Sequence, residues 1–77
     1  MEQTSGNIEF SLLLTAELSP VIKVIFERAI DPETAYPFCV RTIYNDNRLS
    51  GTYVKTYAEG IKLYAERIAR EFKTVLR

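Results

Sequence analysis

Residues 19–33 read SPVIKVIFERAIDPE, and the fold turns on what this stretch becomes. Ser19 is a preferred helix N-cap, and Pro20 suits the first helical position, where its missing N–H costs nothing. The spacing predicts a helix that runs to about Ile30 and stops before Asp31-Pro32, because proline disfavours helical geometry in the residue before it. Ile22, Ile25, Phe26, Ala29 and Ile30 would supply its apolar stripe. Val21 and Val24 then project elsewhere, so the predicted helix is more apolar than covering one side of a sheet requires.

Upstream, the chain alternates from Ile8. Ile8, Phe10, Leu12, Leu14 and Ala16 point one way, and Glu9, Ser11, Thr15 and Glu17 the other, which predicts a half-buried strand. Leu13 breaks the pattern by putting a large apolar group on the outer face. Residues 1–7 read as a loose polar tail ahead of a single domain over 8–77.

Downstream, residues 34–37 form a loop. Phe38 to Tyr44 is aromatic and β-branched and predicts a second strand. Asn45-Asp46-Asn47 is a turn signal, and Leu49 to Ala58 predicts a third strand hairpinned to the second, with Gly51 marking a bulge. Glu59 to Leu76 predicts the clearest helix, with Ile61, Tyr64, Ala65, Ile68, Phe72, Val75 and Leu76 on one stripe. The expected fold is therefore α+β, in the order β-α-β-β-α: a two-layer sandwich with a three-stranded, mainly antiparallel sheet and two helices on one face.

At 77 residues the chain can hold only one domain, and that size is marginal for independent stability. Cys39 is the only cysteine and there is no histidine, so neither an internal disulfide nor a structural zinc site can help. Self-association or an obligate partner is left as the expected source of extra stability. No stretch reaches the roughly 20 apolar residues of a membrane span, and the amino-terminal MEQTSGN has no basic residue, unlike a signal peptide. The expectation is a cytoplasmic protein with no membrane association.

The same residues argue against an enzyme. Without histidine no Ser-His or Cys-His pair can form, and Gly6, Gly51 and Gly60 are too scattered for a phosphate-binding loop. Asp31 and Glu33 read as a helix end in a solvated loop, and Cys39 as a buried strand residue. No catalytic residue, metal or cofactor is expected.

Formal net charge is zero, but its distribution is uneven. Six acidic residues stand against Lys23 and Arg28 in residues 1–36, whereas Lys62, Arg67, Arg70, Lys73 and Arg77 stand against Glu66 and Glu71 in residues 60–77. Tyr44, Tyr53 and Tyr57, with Lys55 between two of them, suggest either ordinary sheet packing and an interface or a stacking platform for RNA. Two faces carry the apolar surplus. A helical face of Val21, Val24 and Leu63, with Arg28 and Arg67, suits a docking partner. A sheet face of Leu13, Ile43, Tyr53 and Tyr57, with Cys39, suits a two-fold dimer. In the alternative, an RNA-binding module, Lys62, Arg70, Lys73 and Arg77 would join the tyrosine hairpin in contacting RNA.

The segments IEFSLLLTAELS and VIKVIFERAIDPET, then a hairpin and a helix ending in FKTVL, resemble the smallest subunit of the KEOPS (EKC) complex, which makes threonylcarbamoyladenosine in tRNA. The similarity runs from about Ile8 to Leu76 and includes Asp31-Pro32-Glu33 after the first predicted helix. In that family the last helix usually carries an Arg followed by an Asn-Ser pair; here Lys62 and Glu66-Arg67 stand at those places, as in a diverged member or paralogue. The resemblance implies a non-catalytic scaffold whose two helices dock on the catalytic, ATP-binding subunit. It also implies a sheet-mediated homodimer, or a heterodimer with a related subunit, and at most weak contact with tRNA.

Overall fold

The structure, a computed structural model, describes residues 9–31 and 33–75. Its elements are β1 (Phe10–Glu17), β2 (Ile22–Ala29), β3 (Phe38–Tyr44), β4 (Asn47–Arg48), β5 (Thr52–Val54) and α1 (Tyr57–Val75). The predicted tail, Ile8, Leu76 and Arg77 lie outside the described residues.

Residues 22–29 form a strand, which overturns the predicted first helix and the β-α-β-β-α order. The domain is still α+β, but the described residues form one antiparallel sheet of five strands and one carboxy-terminal helix. The physical reason is in the residues. Ile22, Val24 and Ile25 are β-branched and Phe26 is aromatic, so they favour a pleated surface, and β2 has a partner strand on each side. Both its faces are shielded: Ile22, Val24, Ile25, Phe26, Glu27 and Ala29 are all buried. An apolar run covered on two sides has no need of helical periodicity.

The N-cap reading of Ser19 identified the right hydrogen bonds in the wrong element. The Ser19 hydroxyl accepts from the N–H groups of Val21 (3.2 Å) and Ile22 (3.1 Å), as an N-cap would. Here those bonds close the β1–β2 hairpin, together with the Leu18 N–H donating to the Ile22 carbonyl at 2.9 Å.

The break in alternation at Leu13 is a β-bulge. The register shifts between Leu12 and Leu14, so Phe10 and Leu12 lie opposite Ala29 and Glu27, whereas Leu14 and Ala16 lie opposite Phe26 and Val24. Of the residues expected on one face, Phe10, Leu12, Leu14 and Ala16 are thus divided between two. The turn signal behaves as expected. Asn45 and Asp46 have φ of 52° and 68°, the left-handed pair of a tight hairpin turn. The third strand is broken, with β4 and β5 both on the far edge of β3 and residues 49–51 between them.

The helix begins at Tyr57 because Thr56 and Glu59 form a capping box. The Glu59 N–H donates to Thr56 Oγ1 at 3.1 Å, and the Thr56 N–H donates to Glu59 Oε1 at 3.2 Å. α1 lies on β2, β3 and β5 and makes the core with them. Val24, Phe26 and Val40 are fully buried there, against Phe38, Ile61, Leu63, Tyr64 and Ile68. The Phe26 ring lies 5.3 Å from that of Tyr57, 5.8 Å from Phe38 and 6.0 Å from Tyr64. Gly60 permits this approach, since a Cβ there would fall on the Phe26 ring.

Phe26→Ala should therefore destabilise the domain by about 3–5 kcal/mol, and Gly60→Ala by about 1–3 kcal/mol despite alanine's better helix propensity. Urea denaturation followed by circular dichroism measures both.

Candidate functional site

The predicted helical docking face does not exist as a surface. Val24 is fully buried beneath α1, and Leu63 packs against the core. Val21 is exposed in the β1–β2 turn. Arg28 stands on β2 with its guanidinium 5.9 Å from the Phe38 ring centre, on the face that carries the helix. Arg67 is committed inside the domain, donating to Thr42 Oγ1 at 3.0 Å and Thr52 Oγ1 at 3.1 Å, and partial burial lowers its pKa. The five residues are dispersed because the helix that was to gather them is a strand.

The predicted sheet face is assembled in part. Ile43 and Tyr53 share the face turned away from α1, which β1, β2, β3 and β5 leave open. Leu13 lies on the helix side, where it lines a cavity with Ser11, Arg28 and Phe38. Tyr57 is also on that side, against Phe26 and Phe38. Of the candidate RNA contacts, Lys62, Arg70 and Lys73 are exposed on α1, while Arg77 lies outside the described residues. Tyr53 is on the opposite side of the sheet from that helix, whereas Tyr44 and Tyr57 are on the helix side, so the three tyrosines do not share one face.

Sequence reasoning missed the centre of the open face. Glu27 is only 5% exposed although no helix among the described residues covers it. Arg48 donates to both its carboxylate oxygens, at 2.9 and 3.0 Å, and Arg41 Nε stands 3.6 Å from Oε1. Leu12, Ile25 and Ile43 surround this group. Arg41 also donates to the Leu49 carbonyl at 2.8 Å and to the Tyr53 hydroxyl at 3.2 Å, which ties the broken far edge to β3. Gly51 fits here because a Cβ would collide with Cys39 Sγ and crowd the Arg41 guanidinium. Only the strand register brings residues 27, 41 and 48 together; on a helix Glu27 reads as a solvated polar position.

This cluster clamps the open face of the sheet. The Glu27 carboxylate is neutralised by two arginines. The Cys39 thiol is pushed above its ordinary pKa by burial, and the nearby Arg41 only partly offsets this. Among the described residues, no three His, Cys, Asp or Glu side chains are grouped as metal ligands, and no helix is long and apolar enough to cross a membrane.

The second feature is the β1 edge. Among the described residues, β1 pairs only with β2, and its other side has no partner strand. Three consecutive leucines on it are exposed: Leu12 by 57%, Leu13 by 37% and Leu14 by 38%. The opposite edge of the sheet is interrupted at residues 49–51 and stapled by Arg41, so it offers no continuous strand. The fold and site together define a small α+β domain with a half-covered sheet, one clamped open face and one long apolar edge. In comparisons with known proteins, no family model, curated protein or solved structure matches the chain.

Glu27→Gln should cost about 3 kcal/mol by leaving buried arginine charge without its counter-ion, while Arg48→Ala, whose side chain is half exposed, should cost less than half as much. Thermal melts of both variants check this ranking. Because the folded thiol holds its proton more tightly than the unfolded one, Cys39 should contribute stability that is fully present below the ordinary thiol pKa and is lost as pH rises from there through the raised folded-state pKa. Cys39→Ala should flatten the alkaline fall in stability.

Proposed function

We propose that this chain is a non-catalytic dimerisation and scaffold module that joins to a second copy through β1. The carrying observation is the exposed leucine triplet on an unpaired edge. Exposed, flat, apolar edges invite strand pairing, and natural proteins usually blunt them with charges, prolines or breaks. Here the far edge is interrupted and stapled, whereas β1 keeps eight residues of strand with a single bulge at its middle.

The backbone of β1 is self-complementary. The Glu9 carbonyl accepts from the Ile30 N–H at 3.0 Å and the Leu18 N–H donates to Ile22, so both residues turn toward β2. Alternation from each end leaves Phe10, Leu12, Thr15 and Glu17 turned outward, two on each side of the bulge. A two-fold axis at the bulge sets Phe10 against Glu17 of the second copy and Leu12 against Thr15. It places no like charges directly opposite. The result is a continuous antiparallel sheet with leucines from both copies at its centre.

Placing this module in a KEOPS-type tRNA-modifying assembly, beside an ATP-binding catalytic subunit, rests on the sequence resemblance alone. The family's docking by a pair of helices does not carry over, since one of the two is β2. Such a role would use α1 and the sheet edge.

Light scattering on the purified full chain should give twice the chain mass. Thr15→Pro removes an N–H that points away from β2, so it should yield a folded monomer. Leu12→Lys should act in the same direction. Dimers that persist unchanged in both variants, or a wild-type monomer at high micromolar concentration, would refute edge pairing.

A further inference from the structure

We infer that the open face of the sheet binds a small carboxylate with a compact apolar body, held beside the Glu27 clamp by Lys23 and Arg48. The site lies on the face of the sheet and not on the β1 edge, so it does not depend on dimerisation. It starts from β2 on the side away from α1. Ile25 and Glu27 are 4% and 5% exposed there, although no described element covers them. Neighbouring side chains shield them and leave a cavity of 270 Å³.

The strand register sets the lining. Leu12 and Thr15 of β1 stand opposite Glu27 and Ile25. Ile43 of β3 stands between Lys23 and Arg48. Leu12, Ile25 and Ile43 supply the apolar surface of the cavity, and Lys23, Glu27 and Arg48 supply its charges.

Charge decides the ligand. Arg48 Nη2 donates to both Glu27 oxygens, at 2.9 and 3.0 Å, and Arg41 Nε stands 3.6 Å from Oε1. One carboxylate therefore faces two guanidiniums, and the buried Arg41 Nε–H has no hydrogen-bond partner. With Lys23, the lining holds two cations, a third stands behind Glu27, and the single anion is fully engaged. Glu17, opposite Lys23, and Asp46, in the turn after β3, are exposed, so solvent screens them more than the buried groups. A cationic ligand finds no unused carboxylate oxygen on Glu27. A carboxylate finds donors: Arg48 uses Nη2 alone on Glu27, which leaves Nη1 and Nε, and among the described residues no ion pair holds Lys23.

Volume sets the size. A cavity of about 150 Å³ takes benzene, so one of 270 Å³ takes about ten non-hydrogen atoms. Octanoate has that bulk. Its head lies between Lys23 and Arg48, and its tail covers Leu12, which is 57% exposed, along with Ile43.

The test is a titration of the ¹⁵N-labelled full chain with octanoate at fixed pH and ionic strength, followed by amide chemical shifts. Support is a saturable shift centred on residues 12–15, 23–25, 43 and 48, with a Kd of about 1 mM or tighter. 1-Octanol and octylamine should bind about tenfold more weakly, and so should octanoate to a Lys23→Gln chain. Arg48→Gln should act in the same direction but also loosens the clamp; Lys23 makes no bond in the clamp, so its variant keeps the fold and decides the matter. No saturation below about 10 mM, shifts centred on the helix side, equal binding of the three head groups, or full affinity in Lys23→Gln overturns the site. None of these outcomes bears on β1 pairing, which light scattering reads separately.

Discussion

The contact of Phe26 with Gly60 is the constraint on which the rest of the structure depends. It brings α1 down onto the centre of β2, the strand with a neighbour on each side. A small chain has few ways to build a core, and this one does so by stacking four aromatic rings, Phe26, Phe38, Tyr57 and Tyr64, at the start of the helix. The capping box at Thr56 fixes where that helix begins, so the rings arrive in place. Each device is local, yet together they determine which part of the sheet is covered and which is left bare.

The two faces of the sheet are protected by different means. On one, α1 excludes water from Val24, Phe26 and Val40. On the other, no described element covers Glu27, and two arginines from β3 and β4 close over it. A buried pair of this kind is weak evidence for stability, because desolvation offsets most of the attraction. Its stronger effect is on register: a one-residue slip of β3 would carry Arg41 to the other face and leave Glu27 charged and unmatched. Arg41 also reaches the irregular segment after β4 and the Tyr53 hydroxyl, so the same clamp holds the broken edge in shape.

The asymmetry between the edges follows from this arrangement. One edge is interrupted and stapled; the other is eight residues long, bulged at its middle and rich in leucine. A single helix also covers less of the sheet than two would, and the bare part lies beside the free edge. Part of the apolar surplus read from composition is the run of three exposed leucines on β1. It is not spread over a pair of helices.

Wherever short-range chemistry settles the matter, the sequence by itself determined the structure. It defined β1 by alternation, β3 by its β-branched and aromatic residues, the Asn45-Asp46 turn by tolerance of left-handed backbone, and α1 by its stripe. It also marked Leu13 as irregular, though not that the irregularity was a bulge. Only the tertiary structure decided residues 22–29, because they satisfy two periods at once. Ile22, Ile25, Phe26 and Ala29 fit a helical stripe, while Ile22, Val24 and Phe26 fit one face of a strand. A local pattern cannot separate these; partner strands on both sides can, because they take up the backbone hydrogen bonds of the segment while α1 covers one face and neighbouring side chains close the other. Glu27, Arg41 and Arg48 were illegible for the same reason, since residues far apart in sequence become one cluster only after β2 pairs with β3.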